Sequence, residues 1–105
     1  MSKSSITIEA VKLPPPHPGE ILAEELEAIN VSVAALARAL DVPQSRMAEI
    51  VKGKRGVTAD TALRLARYFG TSARLWVNLQ AAYDLAVTEA RDGDHIVSVV
   101  RARAA

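Results

Sequence analysis

The chain has 105 residues, half of them apolar and about a quarter charged, with no cysteine and a formal net charge of +1. That length suits one domain and leaves no room for two, and the missing cysteines exclude disulfides and thiolate metal sites. No basic–apolar secretory pattern and no apolar run near the ~18–20 residues of a membrane span is present, so a cytoplasmic protein without membrane contact is expected.

The charge is unevenly spread. Residues 1–37 carry two basic and five acidic side chains, residues 38–74 carry eight and three, and residues 75–105 carry three and four. The positive charge therefore sits in the middle third, where a polyanion would be met.

In chain order, residues 1–17 form an extended leader. "SITIEAV" alternates Ile6 and Ile8 with polar neighbours, a weak strand signal. "LPPPHPG" follows, and its prolines fix φ and bias their predecessors away from helix. The first helix is expected from Pro18 to Ile29, with Pro18 in the first turn, Glu20 at the positive end of the dipole, and Ile21, Leu22, Leu26 and Ile29 at helical spacing. Ser32 is a good N-cap for a second helix, Val33 to Leu40, whose apolar face is Val33, Leu36, Ala37 and Leu40. A turn at Asp41–Val42 leads to a third helix from Gln44 to about Lys52, with Met47 and Ile50 inward. Gly53 ends it, and Lys54, Arg55 and Gly56 form a basic loop.

Thr58 caps a fourth helix with the stripe Ala62, Leu63, Leu65, Ala66 and Phe69, closed by Gly70. Ser72 caps a fifth, expected to reach about Ala90, with Leu75, Trp76, Leu79, Ala82, Tyr83 and Ala86 on its buried side. Trp76, Leu79 and Tyr83 are expected in the core or at a dimer contact. "RDGD" reads as a stop. The apolar run Ile96, Val97, Val99 and Val100 reads as a strand that pairs with Ile6–Val11 or with a partner chain. The expected organisation is a leader over residues 1–17, a helical domain over 18–92 and a tail over 93–105. The class is all-α, five helices, with short candidate strands at both ends.

The second and third helices have the spacing of a helix-turn-helix, in which the second member lies in the DNA major groove. The turn position at Asp41 requires φ > 0, where Gly is usual and Asp is tolerated. With Met47 and Ile50 inward, Gln44, Ser45, Ala48, Glu49 and Lys52 point outward, with Arg46 to one flank. Gln44 can pair bidentately with adenine, Ser45 can donate or accept, Ala48 can meet a thymine methyl, and Glu49 can accept from cytosine. Arg46, Lys52, Lys54 and Arg55 suit phosphates. His17 and His95 lack companions for a metal site and are assigned surface or capping roles. Ser32, Ser45 and Ser72 have no neighbouring base. Neither an enzyme nor a cofactor is expected.

These residues carry a family resemblance. "ALARALDVPQSRMAEIVKGKRGVTADTALRLARYFGTSARLWVNLQAAYDL" resembles the lambda-repressor-like, XRE-type helix-turn-helix. The succession "PPPHPGEIL", "KGKRGVTADTALRLARYFGTS" and "LWVNLQAAYDL" resembles HigA-family (VapI-like) antitoxins over about Leu13 to Glu89. Asp41 stands where the family usually has Gly, and Pro43 where it has Ser or Thr. The resemblance implies a homodimer that binds double-stranded operator DNA, represses its own operon, and neutralises a HigB-like toxin related to RelE-type mRNA-cleaving ribonucleases. It also implies base contacts at Gln44, Ser45, Ala48 and Glu49. Phosphate contacts are implied at Arg46, Lys52 and Lys54, and at the helix N-terminus of Ser32 and Val33. A stand-alone regulator of the same fold, without a toxin, is the alternative; nothing in the sequence separates the two.

Overall fold

The computed structural model describes residues 14–104 and contains five helices and no strand among them. They are α1 (Pro18–Ile29), α2 (Val33–Leu40), α3 (Gln44–Val51), α4 (Ala59–Phe69) and α5 (Ala73–Val99). Each start has a local cause. The hydroxyls of Ser32, Thr58 and Ser72 accept the amides of Ala35, Thr61 and Leu75, filling vacancies that every helix N-terminus leaves. α1 is opened by a capping box built on His17, whose Nδ1 accepts the Gly19 amide at 2.8 Å while Glu20 accepts the His17 amide. α3 is capped by Pro43 with no side-chain bond.

Four helix ends turn through left-handed backbone. Asn30, Asp41 and Gly53 adopt φ of 57°, 57° and 76°, and Gly70 adopts 74°. At the first three the chain wraps identically. Val31, Val42 and Lys54 donate their amides to Leu26, Ala37 and Glu49, while Asn30, Asp41 and Gly53 donate to Glu27, Arg38 and Ile50. The positive φ expected at Asp41 is present.

The core is Leu22, Leu26, Leu36, Ala37, Leu40, Val42, Met47, Ile50, Val57, Ala62, Leu65 and Trp76. Fully burying one such aliphatic side chain contributes roughly 1.5–3 kcal/mol relative to exposure. α3 packs on α1 and α2; α4 packs on α2 and α5. α1 approaches α3 closely at Gly19, where a Cβ would meet the Ile50 and Val51 carbonyl oxygens.

Three expectations need correction. Leu63 is 63% exposed, because the inward face of α4 is Ala62, Leu65, Ala66 and Phe69 with Thr61, and Leu63 lies about 100° around from Ala62. Ala82 is exposed and Leu75 largely so. The larger difference is the length of α5. It runs unbroken through "RDGD" to Val99, so helix replaces the stop near Ala90 and, up to Val99, the strand expected at Ile96–Val100. One Gly inside an established helix costs only about 1 kcal/mol, and each added residue gains a backbone bond without a new nucleation step. The proposed pairing segment Ile6–Val11 lies outside the described residues. None of the helices described is long and apolar enough to cross a membrane.

Candidate nucleic-acid interface

α3 presents the polar face that its periodicity dictates. Met47 and Ile50 are fully buried, Gln44, Ser45 and Lys52 are exposed, and Arg46, Ala48 and Glu49 are half-buried. The four base-reading candidates thus share one helix face, and Gln44 and Ser45 stand at its N-terminal end. Ser32 is exposed and Val33 half-buried at the start of α2. The Ser32 Oγ accepts the Ala35 amide at 3.0 Å, and its hydroxyl hydrogen remains available to a phosphate.

The basic loop is held at both ends by hydrogen bonds. The Lys54 amide is bound to the Glu49 carbonyl at 2.8 Å. Further on, the Val57 amide donates to Gln80 Oε1 of α5 at 2.8 Å, and Gln80 Nε2 in turn donates to Asp84. Behind the loop lies His17, only 4% exposed. Its ring covers Gly53, where a Cβ would be 3.7 Å from its Cγ, and meets the Tyr83 ring edge-on at 4.9 Å. His17 therefore caps α1 as expected but is not a surface residue.

Two assigned residues are paired with each other. Arg55 Nε donates to Glu49 Oε1 at 2.8 Å, with both side chains about half exposed. The pair joins a base-reading candidate to a phosphate candidate, and it uses the Nε of Arg55 and one carboxylate oxygen of Glu49. Exposed pairs of this kind contribute at most about 1 kcal/mol.

Of the residues expected in the core or at a dimer contact, Trp76 lies in the chain's own core, and Leu79 and Tyr83 are half-buried. Trp76 is buried and donates its indole N–H to Thr71 Oγ1 at 2.8 Å, Leu79 packs on the core, and Tyr83 is half-buried against His17.

The turn between α2 and α3 has a fastening that sequence reading misses. Arg64 of α4 donates from one terminal nitrogen to the Leu40 carbonyl at 2.8 Å and the Asp41 carbonyl at 3.3 Å, while its Nε donates to Asp60 at 2.7 Å. That hydrogen bond, and then the Arg64 charge, hold the Asp60 carboxyl below its ordinary pKa, with Arg46 adding a smaller pull; Asp60 likewise raises the Arg64 guanidinium. From sequence, Asp60 and Arg64 are an ordinary i,i+4 surface pair, and Gln80 is one more polar residue on a helix. Neither carries a local sign of a partner more than twenty residues away.

Two short helices joined by a left-handed turn, the second with a free polar face, are the helix-turn-helix architecture. A helix-turn-helix family profile matches residues 22–76. Virulence-associated protein I of Dichelobacter nodosus is 57% identical over 79 residues, covering 74% of this chain and 73% of its own length. An addiction module antidote protein of the HigA family from Coxiella burnetii superposes with a TM-score of 0.82 at 46% identity, over 87% of this chain and all of the other. The Pseudomonas aeruginosa antitoxin HigA, solved with the higBA promoter, gives 0.80 at 49% identity, over 83% and 96%. The chain belongs to the helix-turn-helix family and, within it, to the HigA-family antitoxins.

Proposed function

We propose that this chain is a cytoplasmic antitoxin that binds operator DNA in its own promoter, represses that operon, and neutralises a RelE-like, mRNA-cleaving toxin of the HigB type. The observation that carries the reading is the exposed N-terminal face of α3 beside a fastened basic loop, in a fold shared with an antitoxin solved on promoter DNA. Gln44, Ser45, Ala48 and Glu49 face base edges. Arg46, Lys52, Lys54 and Arg55, with the α2 start at Ser32 and Val33, hold phosphates. A homodimer sets two copies of α3 about 34 Å apart on half-sites one helical turn apart. The toxin meets another surface, and the acidic outer face of α1, with Glu20, Glu24, Glu25 and Glu27 exposed, complements a basic partner.

A gel shift on the promoter duplex at low salt tests the DNA reading; no shift, with or without partner, rejects it. Co-expression with the adjacent open reading frame tests the rest. Rescue of growth supports the antitoxin, and a harmless neighbour with no complex supports a stand-alone regulator.

A further inference from the structure

The α2–α3 turn is unusual in lacking a glycine. Asp41 takes φ 57° there, a conformation that costs an L-residue energy. The wrap that ends α2 uses the carbonyls of Ala37 and Arg38 and leaves those of Leu40 and Asp41 directed at α4, where both accept from Arg64. A cation at this end of α2 also opposes the negative end of its dipole. The guanidinium is aimed by Asp60, in the first turn of α4. α4 and α3 both pack on α2, and the turn held by Arg64 is where α2 passes into α3.

We propose that Arg64 is a positioning residue for DNA readout: it reinforces the C-terminal wrap of α2 by holding the Leu40 and Asp41 carbonyls, fixes the Asp41 turn, and so sets the angle at which α3 presents Gln44 and Ser45. The proposal rests on α3 being the reading helix, and it assigns Arg64 no contact with DNA. A planar fork is needed, because one group must reach two carbonyls and a carboxylate together. Lysine has one compact ammonium and cannot span them.

The test uses the full chain and three variants, Arg64→Met, Arg64→Lys and the control Arg67→Met, which removes the same charge one turn further along α4. Without DNA, amide exchange at Val42, whose N–H closes the turn onto Ala37, is expected to quicken by roughly tenfold in Arg64→Met, less in Arg64→Lys, and not in the control. With DNA, the ratio of affinities for the promoter duplex and a scrambled duplex is expected to fall by roughly tenfold in Arg64→Met, with the salt dependence equal to that of the control. Unchanged exchange at Val42 overturns the proposal. So does a salt slope lowered by about one with the ratio intact, which marks a direct phosphate contact. If Arg64→Met does not fold, Arg64→Lys decides by the same two readings. A wild-type chain that treats both duplexes alike rejects the operator reading, and the exchange arm still decides the role of Arg64.

Discussion

Gly19 lies against the Ile50 carbonyl so closely that no side chain fits between them. This contact seats the start of α1 on the end of α3, and the His17 ring bonded to the Gly19 amide covers the following turn at Gly53. Gly19→Ala must push backbone against backbone, since neither Gly19 nor the Ile50 carbonyl has a flexible end that can give. The expected loss is about 1–3 kcal/mol, in the range of overpacked cores, and urea unfolding measures it. A loss below about 0.5 kcal/mol, the surface range, means that α1 shifts away freely.

Base and phosphate contacts separate by their response to sequence and salt. Gln44→Ala is expected to lose about 1–3 kcal/mol on the operator and to relax preference at one base pair. Lys54→Ala is expected to weaken all duplexes alike and lower the salt slope by about one. Binding titrations on the promoter and on single-base variants at several salt concentrations check both. Equal weakening of every duplex by Gln44→Ala removes it from the base readers.

The Glu49–Arg55 pair gives a sharper test of the loop. Removing the carboxylate frees Arg55 for phosphate and relieves repulsion of the backbone. Glu49→Gln is therefore expected to bind scrambled DNA more tightly, with the salt slope steeper by about one. A slope left unchanged by Arg55→Ala shows that Arg55 does not reach the phosphates.

At the turn, Asp41→Gly removes the penalty of a left-handed L-residue, about 1–2 kcal/mol, and gives back about 0.5–1 in unfolded-chain entropy. A net gain of roughly 0.5–1 kcal/mol is expected in thermal unfolding, with the turn bonds to Arg64 retained, since both use main-chain oxygens.

Asp60 sets the acid response of the same turn. Its folded pKa is depressed from the ordinary 3.8 by Arg64. A depressed carboxylate contributes stability that is fully present above the unfolded value and is lost as pH falls through the folded one. Asp60→Asn is accordingly expected to flatten the stability profile below about pH 4 and leave its shape at neutral pH unchanged; melting curves across that range check it. The carboxylate is well exposed, so the effect is small.

The helix starts are legible in the sequence because each is a local event. Ser32, Thr58 and Ser72 act within three residues of themselves, and Pro18 and Gly70 act through their own φ. The inward face of α3 is legible from Met47 and Ile50 alone. Leu63 misleads because an apolar residue beside a stripe looks like part of it. "RDGD" misleads because a glycine penalty counts for less in a helix already formed than in an isolated peptide. Arg64, Gln80 and the burial of His17 are not legible, since each depends on which helices meet in space. Glu49 and Arg55 carry the right chemistry for DNA, but their pairing follows from the wrap at Gly53, which folds the loop back over α3.

The bond from the Val57 amide to Gln80 has a consequence for grafting. The loop is anchored at one end on α3, through the Glu49 carbonyl, and at the other on α5. Lengthening or shortening it must therefore be absorbed at Lys54, Arg55 and Gly56, and a Cβ at Gly56 would lie 3.1 Å from the Gln80 amide carbon. A chimera that imports another recognition helix into this scaffold keeps its cations in register only while Gln80 is retained. Conversely, transplanting α2 and α3 alone into a foreign scaffold carries the candidate reading residues across and leaves behind the Gln80 tether of the basic loop.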